Sequence, residues 1–205
     1  MKSAPRPYHH GNLRQELLRA AEAALEARGV QQLSLRELSR ELGVSHASPQ
    51  RHFPTKQDLI NALAMVGFER LDSVITRAAE ARGRDFNARL VKVALAQLGF
   101  ALKHPALLAL MFEAKRQPAM PPELHQAMFA AFSHTPRILQ EGQAAGKIIP
   151  GDPFCMALTF GAVVYGLVSI SIDGKIKGNS LKTIVPDAIQ HLLNGLSTRA
   201  LTEKM

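Results

Sequence analysis

Apolar residues recur at helical spacing along almost the whole chain, and polar turn signals divide them into segments. Leu13, Leu17, Ala20, Ala21 and Ala24 share one face of a first helix. Asn12-x-x-Gln15 has the form of a capping box at its start, and Gly29 is placed to stop it with a left-handed cap. Ser34-x-x-Glu37 opens a second helix, Gly43 supplies the positive φ of a tight turn, and Ser45 caps a third. Thr55-x-x-Asp58 caps a fourth, expected from about Lys56 to Arg82, which is long for a globular helix.

The remaining segments continue in the same way. Phe86 to Lys103 is one helix, broken at His104-Pro105, and a short one follows to Arg116. Pro121-Pro122 opens a helix reaching Gly146, with Pro136 placed to kink it. Asp152-Pro153 is an N-cap followed by a proline at the first helical position, for a helix ending near Ile172 at Asp173-Gly174. The last helix spans roughly Leu181 to Arg199, with Pro186 placed to delay its start. No strand pattern persists, so the expected fold is all-α with about nine helices.

The stretch 33–53 carries the most information. Two short helices joined at Gly43, the second polar and basic, form a helix-turn-helix. That arrangement lays its second helix in the major groove of DNA. The expected organisation is therefore a three-helix DNA-binding domain over residues 1–55 and a larger helical domain over 56–205.

Charge agrees with this without proving it. The chain has 205 residues and a formal net charge of +8, which favours a polyanionic partner such as double-stranded DNA. Nine Lys/Arg stand against five Asp/Glu through Lys56, so the basicity is shared with the rest of the chain. Hydrophobic residues make up 46%, enough for a substantial core. One cysteine, Cys155, excludes an intramolecular disulfide and a cysteine-based zinc site, so neither metal nor cofactor is expected. The N-terminal residues carry no apolar secretory core, and a cytoplasmic protein is the expectation. The stretch from Pro153 to Ile172 is uncharged and long enough to cross a bilayer. Thr159, Ser169, Ser171 and two glycines interrupt it, and no basic cluster marks a cytoplasmic side. A helix buried on all sides is the preferred account, with no membrane role.

The N-terminal quarter resembles the TetR family of transcriptional regulators. The matching residues run from Tyr8-His-His-Gly-Asn-Leu-Arg14 through Ser34-Leu-Arg-Glu-Leu38 and Gly43-Val-Ser-His-Ala-Ser-Pro-Gln-Arg-His-Phe53 to Lys56. Further on, Phe160-Gly-Ala-Val-Val-Tyr-Gly166-Leu resembles a Trp…His-Gly signature of one C-terminal subgroup, with Phe160 and Tyr165 in place of Trp and His. The resemblance implies an Ω-shaped homodimer, a ligand pocket in the larger domain, and repression relieved by a small-molecule effector.

Individual residues then acquire expected roles. Arg36 can grip guanine or a phosphate through its planar guanidinium. Ser34 and Ser45 are caps whose hydroxyls or nearby amides can also meet phosphate. His46 can exchange hydrogen bonds with a base edge, Ala47 can touch a thymine methyl, and Ser48 tolerates many sequences. Gln50 stands where the family usually has a phosphate-gripping Tyr, so it either holds phosphate more weakly or reads adenine. His52 and Lys56 match phosphate-clamping positions of the family. Lys56 also stands at the positive end of the fourth helix, where ammonium and backbone amides are expected to converge on one anion. Phe53 is expected in the core.

In the larger domain, Phe100, His104, Phe112, Met128, Phe132, Phe160 and Tyr165 are the candidates for an effector pocket, among aromatics that are mostly ordinary core. Val168, Ile189, Leu192, Leu193 and Leu196 are the candidates for a two-fold interface built from the last two helices. An enzyme is not expected, because no nucleophile elbow, zinc-protease helix, phosphate loop or dinucleotide fingerprint occurs. The remaining rival is a DNA-binding regulator with no small-molecule ligand.

Overall fold

The computed structural model describes residues 13–80, 85–174, 176 and 180–195. Among them are nine α-helices and no strand. They are α1 (Leu13–Arg28), α2 (Leu35–Leu42), α3 (Ala47–Gln50), α4 (Lys56–Ala79), α5 (Phe86–Lys103), α6 (Pro105–Lys115), α7 (Pro122–Ala144), α8 (Pro153–Ile172) and α9 (Leu181–Gly195). Asn12 and Leu196 to Arg199 lie outside the described residues.

The chain forms two compact units. The first comprises residues 1–67 together with 106–124, and the second 68–105 with 125–205. The division therefore falls inside α4 rather than before it, and α6 groups with the N-terminal helices. The reason lies in α6 itself. It buries Leu107, Leu110, Met111 and Ala114. Glu26 of α1 accepts a hydrogen bond from the Leu107 amide at 3.4 Å. Gly67 of α4 lies so close to α6 that a Cβ there would stand 2.6 Å from Met111 Sδ.

In the first unit, α1 buries Leu13, Leu17, Leu18, Ala21, Ala24 and Leu25. Gly29 has φ 78 and ψ 168, which is not the expected left-handed helical cap. It occupies a region open essentially to glycine alone, and the chain turns there into a short 3₁₀ helix, Val30–Gln32. Gly43, with φ 67 and ψ 29, does adopt the left-handed conformation. Its amide reaches the Arg40 carbonyl and the Val44 amide reaches the Ser39 carbonyl. These two bonds close a Schellman motif and set the turn between α2 and α3.

In the second unit, α5 packs against α8 and α9, which also touch each other. α9 buries Leu181, Val185, Ile189 and Leu193. Burial of Leu181 and Val185 holds its first turn, so Pro186 lies inside the helix and does not delay its start. Asp152 caps α8 by accepting from the Phe154 amide at 2.9 Å. That bond holds its carboxyl below the usual carboxylate range, so the cap contributes above the ordinary carboxylate pKa and is lost on acidification through the lowered one. Arg89 pairs with Glu141 and Lys147 with Asp85. Between them, Gly142 of α7 faces the ring of Phe86, and a Cβ would run into the ring edge. Gly142→Ala is expected to cost roughly 1–3 kcal/mol by overpacking, read as a lower urea midpoint.

α8 differs from its expectation. It has the length and apolarity of a membrane span, but it is not buried on all sides. One face holds Met156, Phe160, Val164, Leu167 and Val168 in the core. On the other, Phe154 (61% exposed), Leu158 (58%), Tyr165 (58%) and Ile172 (51%) face outward. Their spacing of 4, 7 and 7 residues places all four within about 40° around the helix, over roughly 27 Å.

Candidate nucleic-acid interface

The helix-turn-helix is α2, the Gly43 turn and α3. Its second helix is shorter than its sequence suggests. α3 is a single four-residue turn, and His46 precedes it in helical conformation with no side-chain cap. Pro49 explains this. It has no N–H, so the first α-type bond is missing. The segment instead starts with the Ser48 amide on the Ser45 carbonyl at 3.0 Å and ends with the His52 and Phe53 amides both on the Pro49 carbonyl. Ser45 is therefore not a cap in the expected sense; its hydroxyl pairs with that of Ser48 at 2.7 Å. Ser34 does occupy the N-cap position of α2, with φ −143 and ψ 124, but its hydroxyl makes no cap bond.

The predicted DNA-facing residues are mostly at the surface. Arg36, Ser45, His46, Ala47, Gln50, His52 and Lys56 are exposed, while Ser34 and Ser48 are half-buried. Their support is apolar. Pro49 is buried and Phe53 is 2% exposed, so one edge of the α3 segment is anchored and the other is presented.

Lys56 is held more specifically than the sequence indicated. Its Nζ donates to the Gln31 carbonyl at 3.0 Å, which ties the start of α4 to the 3₁₀ helix. The expected capping box is present and reciprocal. The Thr55 amide reaches Asp58 Oδ2 at 2.9 Å, and the Asp58 amide reaches Thr55 Oγ1 at 3.1 Å. Two of the amides expected to meet an anion with Lys56 are thus already satisfied. The ammonium keeps further N–H groups for a phosphate, and the positive end of a 24-residue helix lies beside it.

Three basic residues went unassigned in the sequence reading. Arg40 lies one turn beyond Arg36 on α2, so the pair shares a face, and that i, i+4 spacing was legible. Arg36, Arg40 and His46 line a cleft of about 510 Å³ with Ser34, Glu37, Ser39, Gly43 and Val44. Arg14 places its guanidinium 5.4 Å from the centre of the Phe53 ring, a cation–π contact joining α1 to the end of the α3 segment. Arg51 follows α3 directly and is exposed. Arg28 is a different case: it pairs with Glu41 at 2.8 Å, and that hydrogen bond raises its pKa.

The proposed pocket residues divide between the two units. Phe112 lies in the first unit and the other six in the second. Phe100 and Phe160 are core side chains, and His104 lies against the Phe100 ring with centroids 5.2 Å apart. Phe132 meets Phe68 edge to face, and Met128 is half-buried. Tyr165 is on the outward stripe of α8, on a different face from Phe160. Of the proposed interface residues, Val168, Ile189 and Leu193 are already buried within the single chain, so a partner has little of them left to cover. Leu192 is half-buried, and Leu196 lies outside the described residues.

Comparison with known proteins agrees with the geometry. Residues 17–63 match the family described as bacterial regulatory proteins, tetR family. Residues 90–194 match the tetracyclin repressor-like C-terminal domain. Nucleoid occlusion factor SlmA of Yersinia enterocolitica is 36% identical over 112 residues, 51% of this chain, and the match spans about half (56%) of that relative's length. The Pectobacterium carotovorum protein of the same name is 30% identical over 174 residues, covering 81% of this chain and 86% of that one. A solved structure of a protein of unknown function from Rhodococcus sp. RHA1 superposes with a TM-score of 0.87 at 42% identity, covering 95% of this chain and all of that one. With a presented helix-turn-helix in its N-terminal part and a matching C-terminal helical domain, the chain belongs to the TetR family of DNA-binding transcriptional regulators.

Proposed function

We propose that this regulator is a cytoplasmic, ligand-responsive repressor that binds a palindromic operator as a homodimer and is released by a small apolar or amphipathic effector. The observation that carries the DNA half is the presented edge of residues 45–56, anchored by buried Pro49 and Phe53 and bordered by Arg36, Arg40 and Lys56. Phosphate contacts from Arg36, His52 and Lys56 set the position on the duplex, and His46 and Ala47 read base edges.

The dimer half rests on α8. An apolar stripe of about 27 Å on one helix is more than a monomer leaves open without use. A Cβ at Gly161, which lies in the stripe, would meet nothing within 4 Å, so the backbone there is open to close approach by a second helix. A two-fold pairing of this face, clearing roughly 1,000 Å² in total, replaces the buried residues first expected to form the interface. Lipid is a poorer occupant, because neighbouring α9 exposes Lys182, Asp187, Gln190, His191 and Asn194.

Gln50→Tyr tests the reading face. It is exposed on the last residue of α3, so the fold tolerates the change. If Gln50 holds phosphate, tyrosine tightens binding to all DNA by roughly 1 kcal/mol, the scale of one hydrogen bond. If Gln50 reads a base, the preferred operator weakens while random DNA does not. Equal affinities of both proteins on both DNAs exclude both roles.

A second reading is favoured by one observation, the match to proteins named nucleoid occlusion factor. On that reading the chain binds DNA in the service of nucleoid occlusion and needs no small-molecule effector. Screening small molecules for release of bound DNA separates the two. A compound that releases the protein supports the repressor, and uniformly unaffected binding supports the alternative.

A further inference from the structure

Within the second unit, α4 and α7 meet through two unlike contacts. Phe68 and Phe132 pack edge to face with ring centroids 6.2 Å apart. One and two turns further along the same face of α4, Asp72 and Thr76 meet His134 of α7. The His134 Nε2 lies 2.8 Å from Asp72 Oδ1 and 3.1 Å from Thr76 Oγ1. A carboxylate only accepts, so Nε2 carries the hydrogen, and Nδ1 of the neutral ring is left as a lone pair. That Nδ1 is buried and has no hydrogen-bond partner among the described residues. The Asp72 side chain is 34% exposed and that of His134 only 13%. The Nε2 edge therefore turns toward the solvent side, and Nδ1 turns inward.

Buried polar atoms in folded proteins are almost always satisfied, so an orphaned acceptor marks a place where a donor arrives from elsewhere. We propose that His134 Nδ1 is the polar anchor of the effector site. The effector it selects is a small apolar molecule carrying a hydrogen-bond donor, a hydroxyl or an amine. The Phe68–Phe132 pair lies one turn away along α4 in the same α4–α7 contact and makes these surroundings largely apolar, and Asp72 holds the ring in the tautomer that accepts. This rests on the ligand-responsive reading above. Sites of this kind combine an apolar lining with one or two placed polar groups.

Phenol and toluene test it, since they have nearly the same shape and differ by one O–H. Each is titrated into the full chain, wild type and His134→Gln, following the thermal midpoint and the ¹⁵N signals of the His134 ring. Glutamine keeps an N–H in place of Nε2 and removes the Nδ1 acceptor. Phenol is expected to bind the wild type in preference to toluene and to move the Nδ1 signal toward its hydrogen-bonded position. The variant is expected to lose roughly threefold to tenfold of that preference, the size of one hydrogen bond. A purely structural histidine would change stability but not the ratio. Equal binding of the two compounds with an unmoved Nδ1 signal overturns the anchor and leaves the ligand-responsive reading standing. Binding of neither overturns the anchor, and the screen for release of bound DNA then decides the ligand-responsive reading. If the variant fails to fold, the wild-type ratio and Nδ1 signal decide alone.

Discussion

Replacing Leu158 by glutamate is expected to leave a folded monomer that no longer holds a palindrome. Leu158 is 58% exposed in the α8 stripe, so in one chain the new carboxylate faces water and the core is untouched. Across a two-fold axis the same change brings two carboxylates into an apolar contact without partners, and burying unpaired charge is strongly unfavourable. Loss of the dimer also removes bivalency. With both heads linked, the second half-site is bound intramolecularly, and losing that link lowers affinity by about 10²–10⁴. Sedimentation in dilute solution and fluorescence anisotropy on operator DNA measure the two effects. Leu193→Asp serves as the contrast. Leu193 is 5% exposed inside the chain, so that variant is expected to unfold rather than dissociate, seen as a lost thermal transition.

Raising salt from 50 to 200 mM is expected to weaken operator binding by about 10²-fold. Only charged groups displace counterions, so Arg36 and Lys56 from two chains neutralise about four phosphates, which gives a slope near −3.6 and a loss of about 10² over a fourfold rise in salt. Lys56→Ala is expected to weaken all sequences alike and to flatten the slope of log affinity against log salt by roughly 1.8, or about 0.9 from each head. Lys56 is exposed and gives up one bond to the Gln31 carbonyl, so its thermal midpoint should move little. His46→Ala should instead change base preference at nearly constant slope, because a base contact releases no counterion. A salt-insensitive complex would contradict the placement of the phosphate contacts.

Much of the fold is legible where the chain carries its own punctuation. α5 and α8 run between the residues expected because His104-Pro105, Asp152-Pro153 and Asp173-Gly174 act locally. The Thr55–Asp58 box is local for the same reason. What was misread depends on distant neighbours. α6 was assigned to the larger domain by chain order, yet Glu26 and Gly67 group it with the head. An all-apolar helix such as α8 has the same pattern whether its second face meets core or a partner, so the outward stripe and the buried Val168 could not be told apart. His134 is one of two histidines on the amphipathic α7, and only its meeting with Asp72 and Thr76 singles it out.

Selection of bound fragments from random DNA at moderate salt tests the central claim most directly. The expected result is an enriched inverted repeat whose half-site centres lie one helical turn apart, about 34–36 Å or 10–10.5 base pairs, or a multiple of that. Two chains should sit on each duplex by mass. Enrichment of no sequence over the starting pool, or a single chain on an asymmetric site, would contradict the account.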